Sequence, residues 1–425
     1  MFEIHHKEQD TIRIDDVNNP LCQGINRMKL IMKYTKIEGF RDMLNLNYFE
    51  GPSSFRKYYE SDKKVLANCV VPKEIFYMLG VDMLYLEQVA VLVAMSSMHR
   101  EMVGKARTIV PSSTYCTIHQ ATLGAIDSNY FPLPDVFVSP SFACEEAIVL
   151  PSYLSKKYKK TIFHIDCPHS VDEAAEKYLA HQLHRCVLNL ADFFKIHLKQ
   201  ERIEETIHYA NQARKWWLKF QALRPSLKKN ILGINLPTIM YGLLIQSKFG
   251  LPQTVEIVKK LYKVLKKEVD ESNDHTEPVN SPRILWLHML PLHTASLLML
   301  LKYLNLNIVA DEYSQITWDE LDPAKPWRSL ARKYMQCIAY GSVKKRLKSL
   351  AKLIERNAVD AIIELCHPGC KPVSGQSLLV ADYLKTQDIP HLSIEADLID
   401  PDNFSIEQIR TRIEAFVEML NARGI

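Results

Sequence analysis

The sequence has no apolar run long enough to cross a bilayer. Its longest, such as Val89–Met95 and Leu297–Leu301, stop far short of the roughly 20 residues a transmembrane helix needs. Nor is there a block of one charge. The 53 lysines and arginines and 49 aspartates and glutamates are spread along 425 residues, leaving a formal charge of +4. No basic stripe argues for nucleic acid or an anionic membrane surface, so neither is expected as a partner. Residues 1–30 carry acids, histidines and a proline but no apolar core with a cleavage site, so they do not read as a signal peptide and a cytoplasmic location is expected. No histidine pair stands at HExxH spacing, and no GxxxxGKS or GxxxxGKT loop occurs, which removes the signatures of zinc hydrolases and P-loop ATPases. Short tandem repeats are absent too. The nine cysteines are odd in number and scattered, which fits reduced thiols better than a disulfide framework.

What remains is ordinary globular material, 47% hydrophobic and 24% charged, of a length that suggests two or three compact units. A polar, mainly helical lead-in is expected over residues 1–59. From there KKVLANCVV and MLYLE read as strands around a helix at PKEIFYML, followed by the strand DVFVSP, a helix through CEEAIVLPSYLSKKY and the strand TIFHID. Strands alternating with helices predict a parallel sheet, a first α/β lobe over residues 60–170. Residues 171–280 are mostly charged amphipathic helix, a bridging region that ends in the polar, proline-bearing segment DESNDHTEPVNSP. A second lobe over residues 281–425 repeats the alternation through RILWLHML, NIVADEY, VDAIIELC and HLSIEAD, closing on the helix SIEQIRTRIEAFVEML. The fold class expected is therefore α/β, two doubly wound, Rossmann-like parallel-sheet lobes with a helical bridge.

In open parallel sheets the loops at the carboxyl ends of the strands form the ligand crevice. Cys116 after TIVPSSTY, Cys144 after DVFVSPSFA and Cys370 after VDAIIELC and its HPG turn are each expected where a strand gives way to a loop or helix. One metal site between the lobes could collect all three, and soft thiolates suit iron-sulfur clusters, zinc or copper. Spacing alone carries no fingerprint here. The three are far apart, unlike a compact ferredoxin run, and free cysteine is among the most buried residue types.

The C-terminal stretch adds more. HPGCKPVSGQSLLVADYLKTQDIPHLSIEADLIDPDNFSIEQIRTRIEAFVEML resembles the closing segment of 2-hydroxyacyl-CoA dehydratase and benzoyl-CoA reductase subunits, in the order of its cysteine, helix, strand, DP turn and final helix. VVPKEIFYMLGVDMLYLE, YCTIHQATLGA, PDVFVSPSFACEEA and the passage from ADEYSQITWDELDPAKPWRSLARKY to RNAVDAIIE are similar to that family as well. The resemblance covers residues 60–425 and implies that Cys116, Cys144 and Cys370 bind one 4Fe-4S cluster whose fourth iron is left open. Cys69 stands where the family's active-site subunits often have serine, and Glu87 matches an acid near the substrate. Cys69 could be a fourth ligand, making an electron relay, or a thiol that donates a hydrogen bond to substrate.

The resemblance also implies a reaction. One low-potential electron turns the thioester of a (R)-2-hydroxyacyl-CoA into a ketyl radical anion, which expels its 2-hydroxyl and yields a 2-enoyl-CoA. Glu87 is the candidate for assisting proton transfer. A second, homologous subunit in a heterodimer, an ATP-dependent iron-sulfur activator and an acyl-CoA substrate are the partners implied. A ring-reducing benzoyl-CoA reductase subunit and a non-catalytic relay subunit are alternatives within the family; a metal-free α/β binding protein is the alternative outside it.

Other residues read as structural. Cys167 and Cys366 at strand ends, and Cys22, Cys186 and Cys337 in the lead-in or on helices, are expected to pack. His119, His164, His169 and His367 are expected to be satisfied loop or core histidines. Trp216, Trp217 and the Leu297–Leu301 run suit helix packing, and the lysine-rich stretches 155–160 and 344–352 suit solvated helix faces.

Overall fold

Short β-branched and apolar runs form eight strands among the described residues of the computed structural model, which describes residues 57–425 except 69, 113, 143, 227–245, 276–280, 294–295 and 305. The lead-in up to residue 56, with Cys22, lies outside them, as does Cys69. β1 (Lys64–Ala67), β2 (Asp82–Tyr85), β3 (Val136–Pro140) and β4 (Thr161–Ile165) pair in the order β2-β1-β3-β4, all parallel. β5 (Arg283–Leu287), β6 (Asn307–Asp311), β7 (Ala361–Cys366) and β8 (His391–Glu395) repeat the same plan as β6-β5-β7-β8. The two α/β lobes thus share one topology, in which strand order reverses beside the first strand of each sheet. That reversal opens a crevice at the carboxyl ends.

The helices of the first lobe are α1 (Glu74–Leu79), α2 (Leu86–Met95), α3 (His99–Ile109), α4 (Thr117–Asp127) and α5 (Glu146–Tyr158). Between the two sheets in chain order come α6 (Glu173–Phe193), α7 (Gln200–Leu223) and α8 (Pro252–His275). The second lobe contributes α9 (Ser296–Tyr303), α10 (Pro326–Gln336), α11 (Val343–Asn357), α12 (Lys371–Ser374), α13 (Ser377–Thr386) and α14 (Ile406–Ala422). None of the described helices is long and apolar enough to cross a membrane.

Alternate side chains of a strand point to opposite faces, and the core follows that rule. Leu66 and Phe137 join α2, α3 and α4 in a core that also takes Ile284, Trp286 and Ile363 from the second sheet. Their neighbours Val65, Ala67, Val136 and Val138 face α6, α7 and α8 instead. Leu285, Leu287 and Ile362 pack on α11 and α13. Trp217 is fully buried on α7, its indole N–H donating to Ser314 O at 2.7 Å, and Leu297, Leu300 and Leu301 are buried on α9, so both runs pack as expected.

In the lysine-rich stretch of α11, Lys344, Lys348 and Lys352 are exposed as expected, but Lys345 and Arg346 are not. Lys345 Nζ donates to the carbonyls of Met335 and Cys337, each at 2.6 Å, capping the carboxyl end of α10, and burial lowers its pKa. Arg346 is buried in an ion network with Glu312 at 2.7 Å and Glu364 at 3.4 Å. Periodicity alone does not reveal that a basic residue on a helix has a buried acid opposite it.

Candidate functional site

Nearly every polar side chain of interest lies at the carboxyl ends of the strands, where the two sheets open toward each other. Asn68 follows β1, Glu87 follows β2, Cys144 follows β3, His288 follows β5, and His367 and Cys370 follow β7. Cys116 is the exception. The segment TIVPSSTY is not a strand: Arg107–Ile109 complete α3, and Val110, forced extended at φ −122° by the proline after it, breaks the helix. Cys116 reaches the site from a loop between two helices, as the N-cap of α4.

The loops that carry the three cysteines pack together. An added Cβ on Gly369 would lie 2.6 Å from Cys116 Cα, so only glycine lets the Cys370 loop approach so closely. Lys371 Nζ reaches Glu146 at 3.2 Å and Glu145 at 3.6 Å, joining that loop to the segment after Cys144. All three thiols are free, and the charge of one raises the pKa of another. Burial, then Cys370, push Cys116 well above the ordinary thiol range; burial, then Glu146, do the same to Cys144. Burial pushes Cys370 up to about 11.

A shared device opposes this. Backbone N–H groups of Ile118 and His119 face the Cys116 sulfur, that of Ala147 faces Cys144, and those of Val373 and Ser374 face Cys370. Each sulfur sits near the opening turn of a helix, where backbone N–H groups favour negative charge, although those of Ala147 and Ser374 also donate to the Cys144 and Cys370 carbonyls at 3.1 and 2.8 Å. Largely desolvated thiols placed against amide donors suit thiolates held ionised by bound cations. Among the described residues no three histidine, cysteine or acidic side chains group as ligands of a single metal ion. A cluster asks for a wider set, because each sulfur binds a different iron, and three thiols are the donor type such a centre takes.

Around the sulfurs are groups the sequence undervalues. His367 is fully buried, its Nε2 3.4 Å from Cys116 Sγ. His119 is buried one turn past Cys116, its pKa lowered by burial to about 4, and its Nε2 stands 4.0 Å from Glu87 Oε1. Asn68 Nδ2 donates to the same Glu87 oxygen at 3.3 Å. His288, at a positive φ of 68°, donates to Leu365 O at 3.1 Å through Nδ1, and burial lowers its pKa to about 3. Glu146, buried in the first turn of α5, acts on His119, Tyr115 and Cys144 together. The signal for Glu146 is its place two residues after Cys144; for His288, its place directly after a strand. His164 and His169, by contrast, are exposed and take no part.

Cys167 is buried against Tyr334 Oη at 3.8 Å and Cys186 inside α6, both packed as expected. Cys366 differs, held between the hydroxyls of Ser377 at 3.3 Å and Ser393 at 3.1 Å. A cavity of about 940 Å3 opens beside the site, lined by Ser112 and Pro368 and by acidic and basic groups including Glu395, Arg107 and Arg412. Neither Glu87 nor the three cysteines line it.

Comparison with known proteins bears on the same residues. The family described as "2-hydroxyglutaryl-CoA dehydratase, D-component" matches residues 68–420, from the end of β1 to the last turns of α14. The chain is 23% identical over 323 residues to the alpha subunit of (R)-2-hydroxyglutaryl-CoA dehydratase of Acidaminococcus fermentans, covering 74% of this chain and 66% of that subunit. It is 23% identical over 368 residues to the (R)-phenyllactyl-CoA dehydratase alpha subunit of Clostridium sporogenes, covering 83% of this chain and 88% of that one. A benzoyl-CoA reductase subunit from Thauera aromatica is 26% identical over 122 residues, 27% of this chain and 28% of its own length. With the match running through both lobes and all three cysteine loops, this chain belongs to the 2-hydroxyglutaryl-CoA dehydratase D-component family of 2-hydroxyacyl-CoA dehydratase subunits.

Proposed function

We propose that the chain is the iron-sulfur subunit of a 2-hydroxyacyl-CoA dehydratase, removing water from a (R)-2-hydroxyacyl-CoA to give a 2-enoyl-CoA. The observation that carries it is the packing together of the loops that bear Cys116, Cys144 and Cys370, each near the opening turn of a helix. These three thiols would hold a 4Fe-4S cluster. When bound, such a cluster supplies one low-potential electron, which makes the thioester a ketyl radical anion able to expel its 2-hydroxyl.

The protein's own residues do the rest. Loss of the 2-hydroxyl leaves a radical whose C3 proton is acidic, and Glu87 Oε1 is the acceptor for it. Asn68 Nδ2 donates to that carboxylate at 3.3 Å and orients it, with the neutral His119 ring beside it at 4.0 Å. Removal of that proton leaves an allylic ketyl radical anion, which gives its electron back as the 2-enoyl-CoA forms, so the reaction ends without net reduction. Cys69 serves either as a fourth ligand or as a thiol hydrogen-bonding the substrate. A second homologous subunit, an ATP-dependent iron-sulfur activator and an acyl-CoA complete the system. A ring-reductase or relay subunit is the second reading, favoured by the benzoyl-CoA reductase match and by Cys69.

Anaerobic purification with iron and sulfide analysis tests the proposal, since one cubane requires about four irons per chain. Cys116→Ser, Cys144→Ser and Cys370→Ser should each lower that content severalfold. A chain that purifies without iron, or keeps it in all three variants, refutes the assignment. Cys69→Ser then separates the two roles: loss of cluster or a shifted potential marks a ligand, and weaker substrate binding with an intact cluster marks the active site.

A further inference from the structure

His367 holds two of the three cysteines at once. Its backbone carbonyl accepts from Cys370 N–H at 2.9 Å and from the Ser374 hydroxyl at 2.7 Å, fixing the turn that carries Cys370. Its ring faces Cys116 from the other lobe, Nε2 standing 3.4 Å from Sγ. Which nitrogen carries the proton follows from the other side of the ring. The backbone N–H of Leu398 donates to Nδ1 at 3.4 Å. A backbone amide can only donate, so Nδ1 must be the bare nitrogen and the proton sits on Nε2, aimed at the sulfur.

Asp397 does not compete for that proton. Its Oδ1 is 3.8 Å from Nδ1, beyond hydrogen-bond reach, and already accepts from Thr117 Oγ1 at 2.6 Å, Ile399 N at 2.8 Å and Asp400 N at 2.9 Å. Those three bonds build the turn after β8 that presents Leu398 N–H, and tie it to the residue next to Cys116. The imidazole is also wholly buried, where a neutral ring is favoured over a charged one.

We infer that His367 is a fixed N–H···S donor to Cys116 and a positioning residue that raises the reduction potential of the cluster bound there. The inference rests on the function proposed above. A hydrogen bond to a ligating sulfur draws electron density from it and stabilises the reduced, more negative cluster, one of the terms that set iron-sulfur potentials. A core histidine that only fills space would have no such effect.

Redox titration of the anaerobically purified chain, followed by EPR, decides between them. His367→Leu keeps the bulk and removes the donor, and its cluster should titrate at a lower midpoint potential with about four irons per chain still bound. His367→Gln restores an N–H donor and an acceptor oxygen, and should return most of the shift. An iron-replete Leu variant that titrates with the wild type overturns the inference while leaving the iron-sulfur assignment standing. If the Leu variant loses its iron, the wild type answers instead: protein grown with 15N-histidine should show a histidine nitrogen coupled to the reduced cluster in pulsed EPR, and a cluster without one overturns the inference. Wild-type protein without iron refutes the proposed function, and this inference with it.

Discussion

Burial outweighs the acids near His119 and His288 and holds both rings neutral, at pKa values of about 4 and about 3. In the unfolded chain they titrate near 6.5. Between those values the unfolded state binds more protons, so stability is full above the unfolded pKa and is lost as pH falls. The folded protein should lose about 2 kcal/mol from His119 alone between pH 7 and pH 5. Thermal unfolding across that range checks it: the midpoint should fall for the wild type and fall less for His119→Gln. The sequence shows these histidines but not their burial. His119 reads like His164, and only the tertiary structure buries the first and exposes the second.

Single elements were mostly readable. Apolar and β-branched runs mark all eight strands, and 3.6-residue periodicity marks α6, α8 and α14. What escapes is pairing across elements. β7 reads as a plain apolar strand, yet its Glu364 lies buried beside Arg346 of α11 and His391 of β8. Arg346→Met would leave Glu312 and Glu364 buried without that counter-ion, and should cost about 3–5 kcal/mol. Denaturant unfolding should show the loss, and the Glu312→Gln background should return part of it. TIVPSSTY misleads for a related reason: its β-branched residues suit a strand, but α3 runs into them before Pro111 stops it.

Across the whole molecule, the alternation of strands and helices was enough to read two like-built lobes, because that pattern has few packing solutions. The joints between the lobes were not readable. Lys333 of α10 forms an ion pair with the buried Glu74 of α1 and lies over the Trp318 ring at 4.4 Å; Arg107 of α3 pairs with Asp400 after β8 at 3.0 Å. Lys333→Met would strand Glu74 in an apolar setting, at about 3–5 kcal/mol. Hydrogen exchange should then speed up first in α1 and α10, while β5–β8 keep their protection. Uniform loss across both sheets would argue that the joint is not local.

The close seat of Gly369 against Cys116 has a temporal side. Synthesis runs from the amino end, so the ribosome delivers Cys116 and Cys144 long before Cys370, 226 residues after the latter. Until the final third has emerged and closed on the first, two of the sulfurs wait without their neighbour. A centre held by all three sulfurs, as proposed above, can be completed only once Cys370 has emerged and its loop has closed on Cys116.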